Sequence, residues 1–183
     1  LSISVNDGSN VSSFIDWNNS LVGYWNFEYT NTTHVFDNST NNNNASFNGG
    51  LGSGDITTGK YGNSLEFNGN SDYLSLGTDS DFTFDGAFTV ETWVKPGTLV
   101  GNNAFIRIIH RADGDSKGFS IRQEDDKFWF QAKPYSDTTN IQFQNTFSVG
   151  SWYHVVGIYD GSNANLYVNK IKATESAEDD AGD

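Results

Sequence analysis

The chain has 183 residues, with 23 Asp and Glu against 10 Lys and Arg. Its net charge of -13 repels phosphate backbones and anionic headgroups, which argues against nucleic-acid or membrane partners. It contains no Cys, which removes disulfides, thiolate metal sites and thiol nucleophiles together.

Hydrophobic residues make up 36% and aromatics 15%, so the apolar content leans on rings that suit half-buried pleated surfaces and one domain. No apolar run approaches the roughly 18 residues of a membrane-spanning helix. The opening LSISVNDGSN lacks the regions of a signal peptide, and the absence of Met marks a processed product or a piece of something longer, compatible with export.

Short β-branched and aromatic runs recur between Gly, Asn and Asp clusters, with no sustained 3.6-residue period. In chain order the predicted strands are LSISV (1–5), LVGYWNFE (21–28), NASFNGG (44–50), NSLEFNG (63–69), DYLSLG (72–77) and FTVETWVKP (88–96). They continue with AFIRIIHRA (104–112), GFSIRQED (118–125), KFWFQAK (127–133), SWYHVVGIYD (151–160) and ANLYVNKIKA (164–173). Such spacing predicts an all-β, antiparallel two-sheet sandwich. WYHVVGIY is apolar on both faces, as a central strand of stacked sheets should be.

NGN (68–70), DGD (113–115), EDD (124–126) and DGSNAN (160–165) read as hairpin connections. Pro96 and Pro134 each fall just past a strand, where no ladder donor is lost. The acidic stretch 174–183 has no strand pattern and reads as a tail.

Taken in order, LVGYWNFE, FDNSTNNNNASFNGG, GKYGNSLEFNGNSDYLSLG, FTVETWVKP and GSWYHVVGIYDGSNANLYVN resemble the successive blocks of the laminin G-like, concanavalin A-like jelly-roll domains. The resemblance spans residues 21–173 and implies a jelly-roll fold with an extracellular or cell-surface setting. It also implies a non-catalytic adhesion or binding module for carbohydrate or a glycoprotein. The family continues past LYVN into further strands, and here KIKATESAEDDAGD stands in their place, so the domain reads as lacking its last strands. Residues 1–20 then supply a possible donor strand, LSISV. The alternative function is a structural subunit of an extracellular filament or surface assembly, with copies of the chain held by strand complementation.

Relatives of this family often hold calcium near the loop corresponding to FDNSTNNNNASFNGG. The resemblance therefore implies Asp37, Asn38, Asn43 and Glu28 as oxygen ligands of a structural calcium, with no organic cofactor. The same residues also read as a solvated Asn-rich loop whose side chains bond its own backbone. Asn-x-Ser/Thr sequons at Asn10, Asn18, Asn31, Asn38 and Asn44 make a third reading, glycan attachment, and all lie in the first quarter of the chain.

DGDSKGFSIRQE carries Asp113, Asp115, Gly118 and Glu124 at calcium-loop spacing, but Lys117 occupies a ligand position between strand-like flanks. No Glu-x-Asp-x-Glu run supplies the paired carboxylates of glucanases of this fold class, and His34, His110 and His154 stand in no nucleophile motif. The reading is a binding module rather than an enzyme. Trp129 alternates with Phe128 and Phe130, which can set an indole on a sheet face for stacking on a sugar ring, with Gln131 and Tyr135 beside it.

Overall fold

The computed structural model describes residues 19–77, 80–84, 86–99, 101, 104–113, 117–134 and 139–176. The LSISV run, Asn10, Asn18, Tyr135 and residues 177–183 lie outside them. Two compact units divide the chain, Leu1–Asp81 and Phe82–Asp183. No helix among the described residues is long and apolar enough to cross a membrane.

In the first unit, β1 (His34–Val35), β2 (Ala45–Asn48) and β5 (Tyr73–Ser75) form an antiparallel sheet in the order β1-β2-β5. β3 (Ile56–Thr58) and β4 (Asn63–Leu65) form a separate two-stranded ladder. Residues 21–28, expected as a strand, form no ladder. Their backbone is taken up by the asparagine loop instead: the Asn38 amide donates to the Tyr24 carbonyl at 2.7 Å, and Asn43 Nδ2 donates to the Val22 carbonyl at 3.0 Å. NGN at 68–70 is likewise no hairpin, because β4 and β5 belong to different sheets. Asn68 Oδ1 organises that turn by accepting the amides of Asn70 and Ser71.

The second unit is the antiparallel two-sheet sandwich. One sheet holds β7 (Phe105–Asp113), β8 (Lys117–Glu124), β9 (Lys127–Pro134), β10 (Thr139–Gln142) and β14 (Glu175–Ser176), in the order β14-β10-β9-β8-β7. The other holds β6 (Phe88–Val94), β11 (Tyr153–Tyr159), β12 (Ala164–Val168) and β13 (Ile171–Lys172), in the order β13-β12-β11-β6. Phe119, Ile121, Phe128, Phe130 and Ile141 of the first sheet pack on Val155, Tyr159, Leu166 and Val168 of the second. Each such side chain contributes roughly 1.5–3 kcal/mol on burial.

Three expectations are corrected here. The run 164–173 breaks into a hairpin, because Asn169 and Lys170 both take positive φ (49° and 71°), the backbone of a two-residue turn between twisted strands. The stretch 174–183, read as a tail without strands, contains β14: Gln142 of β10 pairs with Glu175. Pro134 is the last residue of β9 rather than a residue beyond it. The polar strand β10, sequence TNIQ, went unread because it has no apolar alternation, although Asn140 and Ile141 are both buried.

Candidate functional site

The asparagine loop is organised by one carboxylate. Asp37, buried, accepts at Oδ1 from the amides of Tyr24 and Ser39 (both 2.8 Å), and at Oδ2 from the Ser39 hydroxyl (2.6 Å) and the Asn43 amide (2.9 Å). Burial pushes its pKa up, but the Ser39 hydroxyl and the three amides together hold it below the ordinary carboxylate value. Asn44 Oδ1 accepts the Asp37 amide, and the Asn43 carbonyl accepts Trp25 Nε1 at 2.9 Å.

Of the four residues implied as calcium ligands, the fold brings Asp37 and Asn43 together, with Asn38 adjacent. Glu28 points elsewhere: its carboxylate takes the amide and side-chain nitrogen of Asn63 at 2.7 and 3.1 Å. A carboxylate has about four lone-pair sites, and Asp37 uses them on four donors of its own segment. No group of three or more acidic or His side chains with metal-ligand placement occurs among the described residues. The residues do not fit a calcium site, and the loop reads as a self-bonded turn.

Asn31, Asn38 and Asn44, the sequon residues within the described segments, are all exposed. In the same unit, an open pocket of about 390 Å³ is lined by Asp55, Glu66 and Asp72 among others. Asp55 there is engaged by the Gly52 amide and Asp72 by Asn68.

The calcium-like string at 113–124 falls on β7 and β8 and the connection between them, so Glu124 is a strand residue. Asp125 and Asp126 make the two-residue turn into β9, as expected, with Asp125 at φ 51°. His154 is half-buried, stacked on Trp93 with ring centroids 5.0 Å apart, and its Nε2 lies 3.4 Å from Glu91 Oε2.

A more distinctive surface is the face of the five-stranded sheet turned away from the core. Phe128 and Phe130 are buried on the core side, so strand alternation puts Trp129 and Gln131 on the other. The register extends this face into two cross-strand rows. One runs Arg107, Arg122, Trp129, Gln142; the other runs His110, Ser120, Gln131, Asn140.

A β-bulge between Arg107 and Ile109 makes the second row possible. It turns Ile109 inward opposite Ile121 and brings His110 out opposite Ser120. The Arg107 guanidinium lies 4.6 Å from the Phe105 ring centre, and that of Arg122 lies 4.9 Å from the Trp129 ring. Arg122 Nε also pairs with Glu124 at 3.0 Å. The indole nitrogen of Trp129 and the hydroxyl of Ser120 are buried and have no hydrogen-bond partner. Burial, then the nearby Arg107 charge, holds the His110 pKa below its ordinary value.

Sequence reading found Trp129 and Gln131 on this face. It missed the two arginines and Ser120, whose period-two spacing in SIR was a usable signal for β8 alone.

Comparison with known proteins places the chain in context. The model of the family Laminin_G_3, described as the concanavalin A-like lectin/glucanases superfamily, matches residues 68–181. A segment of the mouse (Mus musculus) protein Pappalysin-1 is 26% identical over 131 residues, covering 64% of this chain and 8% of that protein. The chain thus spans only a small part of that relative's length. A crystal structure of an S-layer domain-containing protein (residues 221–444) from Clostridium thermocellum ATCC 27405 is similar at a TM-score of 0.53 and 23% identity, covering 84% of this chain and 71% of that one. At that identity the likeness concerns the fold.

Proposed function

The chain belongs to the concanavalin A-like lectin/glucanases superfamily, as a laminin G-like domain, and from that premise we propose that it is an extracellular, non-catalytic module that binds carbohydrate. The observation that carries this reading is the outward row on β8 to β10, where the Trp129 indole stands among Ser120, Gln131, Asn140 and Gln142. An aromatic ring flanked by amides and a hydroxyl matches a sugar, which offers an apolar C–H face and a rim of hydroxyl groups.

The non-catalytic part rests on the missing carboxylate run: the outward positions of β8 and β9 carry one acidic side chain, Glu124, and it is paired with Arg122. The family supports an extracellular setting.

The test is titration of soluble oligosaccharides against the chain, read by tryptophan fluorescence and calorimetry. Binding that Trp129→Ala abolishes while Trp93→Ala leaves it intact supports the reading. Binding that survives Trp129→Ala removes this face from it.

A further inference from the structure

The outer face of the four-stranded sheet is apolar where it meets water. An antiparallel sheet with one face on the core ordinarily alternates apolar with polar residues. Strand β11 does not: Val155, Gly157 and Tyr159 are buried on the core side, and the outward positions beside them are His154, Val156 and Ile158. Neighbouring strands add Trp93 of β6, opposite His154, and Tyr167 of β12, opposite Val156. Trp93 is 38% exposed, and Val156, Ile158 and Tyr167 are half-buried.

One cross-strand row of this face runs Glu91, Val156, Tyr167, Lys172. It has a carboxylate at one end, an ammonium at the other and two large side chains between. Glu91 on β6 and Lys172 on β13 stand three strand spacings apart, about 14 Å, too far to pair within one copy. Alternation from Trp93 also turns Lys95 outward, where its Nζ lies 5.3 Å from the Trp152 ring centre. The face is therefore not acidic, in a chain of net charge -13. Copies of so acidic a chain repel each other in general, and a face of balanced charge is where that repulsion is least.

We propose that this face is the interface of a symmetric dimer, its occupant a second copy of the chain. Two sheets stacked face to face are related by a twofold axis in the plane between them. An axis parallel to the strands reverses the order of the row, so Glu91 of each copy lies over Lys172 of the other, and Val156 over Tyr167. An axis along the row would instead set the two Glu91 carboxylates against each other. The charge pattern selects the first arrangement, in which every contact occurs twice. Val156, Ile158 and Tyr167 form the apolar centre, and the charged ends at the rim fix the register. The inference goes beyond the sugar-binding reading, which uses the other sheet.

The experiment is sedimentation velocity of the full chain over a concentration series at low salt, repeated with Glu91→Lys, Lys172→Glu and the double variant. The expected result is a dimer that each single reversal weakens about tenfold or more, because each acts at both ends of the interface, and that the double variant restores. Glu91 and Lys172 are both exposed, and an unchanged unfolding midpoint for each variant under dilute, monomeric conditions shows that it is folded.

A monomer at every concentration overturns the proposal. So does a dimer indifferent to both reversals, or one that the double variant fails to restore. Polyglutamate serves as an acidic probe in the same series: a monomer that binds it, and loses it in Lys172→Glu, overturns the dimer and gives the face to an acidic partner. None of these outcomes involves Trp129, so the sugar-binding reading stands or falls by its own titration.

Discussion

Gly157 of β11 lies flat against the ring of Phe130 in β9, so close that a Cβ at Gly157 would fall within the ring's van der Waals boundary. Phe130 is fully buried, and Gly157 pairs with Leu166 and Val90 in the opposite sheet. The two sheets approach at this point because one has no side chain there. Gly157→Ala is expected to lose about 1–3 kcal/mol by overpacking, measured by urea unfolding. Adding Phe130→Leu should recover part of that loss, and strict additivity of the two changes would show that this contact does not set the sheet spacing.

Asp37→Asn is expected to cost about 1–3 kcal/mol, because the amide keeps one acceptor oxygen where the carboxylate served four donors. The folded pKa is depressed below 3.8, so the unfolded chain binds the proton more readily. Asp37 therefore contributes its full stability above about 3.8, and that contribution is lost as pH falls through the lower folded value. The acid limb of a stability–pH curve should flatten in Asp37→Asn. Because the oxygens are already engaged, millimolar calcium is expected to leave the thermal midpoint unchanged; a rise abolished by Asp37→Asn would show that a cation displaces these donors.

The lowered pKa of His110 makes a second prediction of pH dependence. Burial and the nearby Arg107 charge favour the neutral ring in the fold, so its stabilising effect is present above about 6.5 and lost as pH falls through the lower folded value. His110→Gln should remove that part of the loss, which unfolding midpoints at several pH values can follow.

Lys170 holds φ 71° in the β12–β13 turn, after Asn169 at 49°. A side chain with a Cβ resists that backbone, and glycine does not. Lys170→Gly should therefore stabilise the chain by about 0.5–1 kcal/mol, read from chemical denaturation. A loss would show that Lys170 makes a contact that outweighs its backbone strain.

On the other sheet Glu91 Oε2 lies 3.4 Å from Nε2 of the half-buried His154, with the Glu91 side chain 66% exposed. Glu91→Gln should change stability by less than about 1 kcal/mol, and less again in salt. A larger loss would mean that the Trp93–His154 stack depends on Glu91 for its orientation.

Much of the second unit was legible in the sequence. β6, β7, β8, β9 and β11 begin and end within two residues of their apolar runs, since a half-buried strand needs a period of two and its turns need Asn, Asp or Gly. Trp129 between two phenylalanines fixed its own side of the sheet. The first unit was less legible. LVGYWNFE has the composition of a strand, yet its carbonyls at Val22 and Tyr24 are spent on the asparagine loop rather than on a ladder.

The face itself was decided by tertiary structure. Alternation from Arg107 puts Ile109 outward and His110 inward, and the bulge in β7 reverses both. No local signal in FIRIIHRA marks that extra residue, because a bulge is set by how β7 must fit against β8. The sequence alone determined the chemical types available: three arginines in a strongly acidic chain, an indole on a strand, and no paired carboxylates. Cross-strand register decided that Arg107, Arg122 and Trp129 share one row, since which side chains stand opposite one another is set by how neighbouring strands pair and not by the local sequence of each.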